Sequence, residues 1–523
     1  MKRIAIISLV NLVVILFGIE KIAAQISFQK SIGGTGADYG YELEKTTDNG
    51  YISIGTTNSF GAGGRDLYLV KTDFNGDLLW TKTYGGAGTD YGYCIGITSD
   101  DGYIICGNTM SFGAGGEDVY LIKTDFSGNA LWSKTYGSTG DETGFSVQQT
   151  TDGGYVIIGN TYSAAGYDFH VIKTDVNGDT LWTKTVGGPG DEISGTGQQT
   201  SDGGYIIVGT TSSYGSGGYD ICVIKTDITG AILWTKTYGG TGDDNGYRIT
   251  QTNDGGYLVT GAENSFSAGS YDGYLLKIDV NGAIQWTRSF GGPGWDDGVS
   301  VKQTPDGGYI VYGQSYSFGI NSDLYLLRTD AAGDTLWTKA FGGSGYEFGG
   351  EVELTNDGGY IFNGGEQSFG AAREFYLVKT DANGDSGCNE RGTGTIMGTP
   401  AMLVSNPVIS VFNRSDITGT PATLTGSGGV AATLCINVSV GLSEAKSNSL
   451  LDVYPNPFSN ELIVKGTKDK GVLILFDLMG KEVMRQQALE DETKFEVKDL
   501  APGFYFLKCI QEDKTVDVTL VKF

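Results

Sequence analysis

Two sets of seven carboxylates recur at near-fixed intervals in this 523-residue sequence. The first is Asp38, Asp90, Glu142, Glu192, Asp244, Asp296 and Glu347. The second is Asp66, Asp118, Asp168, Asp220, Asp272, Asp323 and Glu374. Carboxylate oxygens are the ligands a hard cation takes, so the first set is a candidate calcium ring. The recurrence itself argues for a different task. A fold repeats its needs in every unit, whereas a ligand touches a few units unequally. An acid that accepts backbone N–H bonds in each loop, or pairs with a neighbouring Lys, recurs in this way. We therefore expect a structural role and no cofactor, with calcium as the one candidate. Paired acids also cleave glycosides, but nothing in the spacing sets one pair apart.

The remaining chemistry is sparse. The only His is His170, so no His triad and no His-based zinc or copper site can be assembled. Sialidase-type chemistry needs several converging Arg, and the repeats hold few. An enzyme is not expected. Trp295, in "GGPGWDDG", stands alone in its frame. Exposed, it would stack on a sugar or anchor a protein partner. Buried, it would fill a gap between units. The six Cys are Cys94, Cys106, Cys222, Cys388, Cys435 and Cys509. Cys94 and Cys106 flank a turn symmetrically, and Cys388 and Cys435 bracket the segment after the repeats. Neither pair has metal-ligand spacing. Disulfides and buried free thiols both remain open.

The net charge is −26, which excludes nucleic acid as a partner, because phosphate binding needs a basic surface. Gly stands at 85 residues and Pro at 9, with 30 Tyr and 23 Phe. That composition fits many short strands joined by tight turns. Residues 1–24 read as a signal peptide: Lys2 and Arg3, an apolar run from Ile4 to Ile19, then Ala23-Ala24. No later segment is apolar for long enough to span a bilayer, so the mature chain is expected to carry no transmembrane span.

What positions these residues is a repeat. Trp80, Trp132, Trp182, Trp234, Trp286 and Trp337 are spaced by 52, 50, 52, 52 and 51 residues. A turn before Tyr ("DGGY") and the triplet "KTD" recur seven times in the same frame. The seventh Trp is missing, but Phe28 stands 52 residues before Trp80 in "ISFQKSIGG". The first strand of the mature chain thus completes the last unit and closes a ring. One repeat reads as four strands: "GYRITQT", "GGYLVTGAE", "YDGYLLKID" and "AIQWTRSF". We expect an all-β chain with a seven-bladed β-propeller of four-stranded blades at 25–385. Phe28 and the six Trp would dock blade on blade. The loops joining strand d to a and b to c share one face. They are long and rich in Gly, Ser, Tyr and Asp, so binding is expected there.

Several stretches resemble known families. "KTDFNGDLLW" is similar to the tryptophan-docking motif of quinoprotein propellers, which implies packing and not the quinone. "SDDGY" and "TPDGGY" resemble the Asp-box hairpin of sialidase-like propellers. "GGAGTDYGY" resembles a calcium nonapeptide, but that motif must stack every nine residues and here occurs once per blade. Residues 386–450 read as a β-rich connector and linker. Residues 451–523 resemble the type A C-terminal sorting domain of the type IX secretion system. The matching residues are Tyr454, Pro455, Asn456 and Pro457; Asp477, Gly480 and Lys481; Gly503 and Tyr505; and Lys522. The resemblance implies a Gram-negative, Bacteroidota-type host and export to the cell surface or release by the secretion machinery. Alternating strands in this module suggest a small immunoglobulin-like β-sandwich. The leading expectation is a surface propeller that binds a glycan or a protein. A carbohydrate-active enzyme, such as a glycoside hydrolase or lyase, and a structural adhesion or surface-layer component are the alternatives.

Overall fold

The structure is a computed structural model. It describes residues 25–439 and 452–522. Stretches 164–165, 268–269, 371, 399, 401, 406–409, 414–416, 420–423, 427, 455–460, 466–471, 478–480, 488–491, 499, 501–502 and 512–513 are excepted. The signal peptide at 1–24 lies outside the described residues. The chain divides into two compact units, one spanning Gln25–Ser439 and one containing Val440–Phe523.

The larger unit holds seven five-stranded antiparallel sheets, propeller-like blades with no helix among the described residues. The first runs outward through Asp38–Lys45, Tyr51–Thr57, Asp66–Thr72 and Leu78–Gly85. Its repeat text is a set of local tasks. The buried Lys71 of "KTD" pairs with Asp48 of the preceding turn at 2.9 Å. Asp73 takes the amides of Asn75 and Asp77 and so folds the next turn. Trp80 then leans on the following sheet, against Tyr103 at 6.4 Å. There it covers Gly128, whose φ of +72° suits glycine and whose added Cβ would strike the Trp80 ring at 2.8 Å. Trp132, Trp182, Trp234, Trp286 and Trp337 repeat this contact with Tyr155, Tyr205, Tyr257, Tyr309 and Tyr360. Phe28 packs in one cluster with Tyr51, on the strand Gln25–Gly33 that pairs with Glu374–Thr380 in the last sheet.

Two sequence expectations need correction. The sheets have five strands, not four, and residues 386–439 are more than a connector; residues 440–450 lie outside the described residues. Seven short strands from this segment each pair with the outer edge of one sheet. In chain order, Glu390–Gly392, Ile396–Gly398, Leu403–Ser405 and Ser410–Asn413 join Thr335–Phe341, Ile284–Gly291, Ile232–Gly239 and Thr180–Gly187. Ile417–Gly419 and Leu424–Gly426 then join Ala130–Gly137 and Leu78–Gly85. Last, Val430–Ser439 pairs along Gln25–Gly33. The segment is a belt that visits the sheets in reverse order. It satisfies outer edges that would otherwise present unpaired N–H and C=O groups. A disulfide joins Cys388 to Cys435, the two ends of the belt. Cys94 and Cys106 face each other in register but stay free and buried, as does Cys222.

The smaller unit has a three-stranded sheet (Asp452–Tyr454, Glu461–Lys465, Glu492–Glu496) and a four-stranded one (Glu482–Gln487, Val472–Asp477, Gly503–Gln511, Lys514–Lys522). Leu462, Val464 and Phe495 of the first share a core with Leu473, Leu475, Tyr505 and Leu507 of the second. Tyr454, Asp477 and Lys522 end strands, Gly503 begins one and Lys481 is exposed. Pro455, Asn456, Pro457 and Gly480 lie outside the described residues. Among the described residues no helix is long and apolar enough to cross a membrane.

Candidate functional site

The seven acids of the first set are all buried. Each carboxylate closes its own loop. Asp38 takes the amide of Gly34 and the hydroxyl of Ser59, at 2.8 and 2.7 Å. Asp90, Glu142, Glu192, Asp244 and Asp296 each accept the amide four residues upstream at 2.6–2.8 Å. Glu347 takes the Ser368 hydroxyl. Acids of the second set lie beside them: burial, with Glu192, Asp244 or Asp296 adding, pushes Asp168, Asp220 and Asp272 up to about 6. Among the described residues, no three His, Cys, Asp or Glu side chains are grouped to hold a metal ion. His170 is buried and bonded to Thr183 at 2.9 Å.

The innermost strands bound a cavity of about 340 Å³, lined from all seven sheets. Here the frame is not repeated. Counted as fifth from each first-set acid, this position holds Glu42, Cys94, Ser146, Thr196, Arg248, Ser300 or Glu351. Arg248 bridges Glu42, at 3.1 Å, and Glu351; Lys302 bridges Glu351, at 3.1 Å, and Glu353. Burial, with Glu353 adding, pushes Glu44 up to about 8. Against the pull of its own burial, Lys302 is held above its ordinary value by Glu353 and Glu44. This network clamps sheets to one another through the centre. Burial raises the Cys94 thiol well above its ordinary value, which disfavours the thiolate.

The loop face carries two distinct arcs. On one, Trp295 is 42% exposed and stacks on Tyr271, with centroids 5.0 Å apart and planes at 26°. Tyr271 donates its hydroxyl to Asp243 at 3.1 Å, and Tyr219 reaches Asp191 at 3.5 Å. Aromatic faces beside fixed carboxylates can stack a sugar ring and accept its hydroxyls. On the other arc, Tyr39, Tyr41, Tyr91, Tyr93 and Phe145 form a chain of ring contacts at 5.5–6.1 Å. Arg65 and Arg373 lie over it. Sequence reasoning singled out Trp295 because it breaks the repeat. It missed Arg65 and Arg373, whose signal is the residue just before each second-set acid: Arg65, Glu117, Tyr167, Tyr219, Tyr271, Ser322 and Arg373.

Comparisons with known proteins bear on both units. Residues 452–522 match the family described as Secretion system C-terminal sorting domain. The chain is thus cargo of the type IX secretion system, exported to the cell surface or released from a Bacteroidota-type Gram-negative cell. Residues 66–339, more than half of the chain, match the family described as Outer membrane protein assembly factor BamB. A stretch of 152 residues is 26% identical to Regulatory protein FlaEY of Caulobacter vibrioides, covering 24% of this chain and 16% of that relative. Among solved structures, PorZ, a surface component of the type IX secretion system of Porphyromonas gingivalis, aligns at 11% identity and a TM-score of 0.38. The alignment covers 94% of this chain and 59% of PorZ. The extracellular domain of the putative one-component system BT4673 from B. thetaiotaomicron aligns at 11% identity and a TM-score of 0.42. That alignment covers 96% of this chain and 59% of the other.

Proposed function

The chain belongs to the repeat-propeller family of outer membrane protein assembly factor BamB, and on that premise we propose that it is a cell-surface glycan-binding protein that performs no catalysis. We read the seven sheets as the blades of one closed seven-bladed propeller. Each inner strand packs on the next, and Phe348–Leu354 packs back on Asp38–Lys45, which supports closure. We read the C-terminal module as an immunoglobulin-like sandwich that serves export and not recognition. The observation that carries the binding reading is the exposed Trp295–Tyr271 stack beside Asp243. The acids that would have to catalyse are instead consumed by their own loops. A glycan array with the exported protein tests the reading. Trp295→Ala should weaken binding by ten-fold or more, about the loss of one aromatic anchor. Unchanged binding by this variant, or hydrolysis of the arrayed sugars, overturns it.

A further inference from the structure

We propose that Arg65 and Arg373 form an anion-binding subsite on the loop face, which selects glycans carrying carboxylate or sulfate groups. The inference rests on the glycan-binding reading above and specifies its ligand.

The argument begins with charge. The chain holds 61 Asp and Glu against 35 Lys and Arg. In such an excess of acid, a guanidinium readily finds a carboxylate. Among the described residues five arginines do so: Arg248, Arg288, Arg328, Arg391 and Arg485. Arg65 and Arg373 do not. Arg65 donates to the Tyr91 hydroxyl at 3.2 Å and lies over the rings of Tyr91 and Tyr39, at 5.4 and 5.8 Å. Arg373 donates to the Tyr39 hydroxyl at 2.9 Å and to Gln367 at 3.4 Å. It lies 4.1 Å over Phe348 and 5.1 Å over Tyr39. Its Nε is buried and has no hydrogen-bond partner.

The two cations therefore share one ring, Tyr39, although they are 308 positions apart in sequence. Arg65 belongs to the first sheet and Arg373 to the last, which are neighbours through their inner strands. Their frame position holds Glu, Tyr or Ser in the other five sheets, so the fold does not require Arg there. Stacking on aromatic faces orients each guanidinium and leaves N–H groups undischarged. A planar fork with free donors suits a carboxylate or sulfate bidentately. The aromatic chain beside it supplies the stacking surface for the sugar ring. Elsewhere the same rim carries Asp191 and Asp243 beside the Trp295–Tyr271 stack, which would repel an anion, so the charged group of the glycan is confined to this arc and its neutral part is left to that stack.

The test measures binding of the exported protein to a tetragalacturonate, to its carboxyl-reduced neutral counterpart, to a sulfated chondroitin tetrasaccharide and to inorganic sulfate. Arg65→Met and Arg373→Met keep the apolar stem over the rings, and Arg65→Lys keeps charge but loses the fork. The expected result is tetragalacturonate or the sulfated sugar binding at least ten-fold tighter than the neutral one, with affinity falling as salt rises. The two arms identify which anion is preferred. Either Met variant should erase the preference, and Arg65→Lys should restore part of it, at an unchanged melting temperature. Equal binding of charged and neutral sugars, unmoved by the Arg variants, overturns this inference while glycan binding stands. Saturable, Arg-dependent sulfate binding without any sugar binding upholds the anion site and overturns the glycan reading. No binding in any arm overturns both.

Discussion

The inner four strands of each sheet and the fifth strand outside them obey different rules. The inner strands arise in order along the chain, joined by turns, except that Gln25–Gly33 completes the last sheet, and the recurring marker residues of their text have partners in the same sheet or the next. Lys71 needs Asp48, Asp73 needs the amides of its turn, and Trp80 needs Gly128. The belt arrives from residues 390–439 and visits the same sheets in reverse, three or four residues at a time until its last strand. Its strand pairing is backbone to backbone, which almost any side chain permits. Local needs leave a periodic signature in sequence, whereas edge pairing by a distant segment leaves none.

The sharpest way to break this comparison is to remove the belt while keeping the sorting module. Deleting residues 386–439 uncovers seven outer edges at once. Most of the protein should then leave the monomer peak in size-exclusion chromatography; a stable monomer would mean the inner strands suffice alone. Next in size is the disulfide. Cys388→Ser with Cys435→Ser opens a closure of 47 residues, which chain entropy values at about 4 kcal/mol. Denaturant melts should show that loss, and amide exchange should locate it in the belt strands first. No change in midpoint would mean that backbone pairing holds the belt without the crosslink.

The smallest effect belongs to the inner region. Burial holds Asp66, Asp168, Asp220 and Asp272 at about 6, and Glu263 and Asp297 at about 7. The folded chain thus binds these protons more tightly than the unfolded chain does. Their contribution is full below about pH 4 and is lost as pH rises through 6 to 7. At the acid end, Thr98 and Lys123 outweigh the cost of burial and hold Asp100 at about 2. Its contribution is present above about pH 4 and lost as pH falls toward 2. Stability should peak near pH 4, and the melting temperature should be a few degrees lower at pH 8 than at pH 5. The same shift in the disulfide variant would keep the two regions independent. A shift that disappears there would couple them.

The same contrast explains what could be read before the structure. Four strands of each sheet were legible because the Trp, "DGGY" and "KTD" markers each meet a need within the blade or its neighbour. The fifth was not, since "NPVISVFN" and "ATLCINVSV" alternate without saying what they pair with. Trp295 was legible as an exception to a pattern. Arg65 and Arg373 are also exceptions, but their meaning lies in sharing the Tyr39 ring where the first and last sheets meet. It lies equally in the absence of a carboxylate partner, and neither fact is local.

The crosslink between Cys388 and Cys435 has a further consequence for life outside the cell, where proteases are met without chaperones. A single cut between those two cysteines severs the backbone but releases nothing. Both fragments stay covalently attached, one by its peptide bonds and the other by sulfur. Whatever is tethered beyond residue 435 therefore remains joined to the sheets after a first cleavage. Detachment takes a second event, either reduction of the bond or a cut elsewhere.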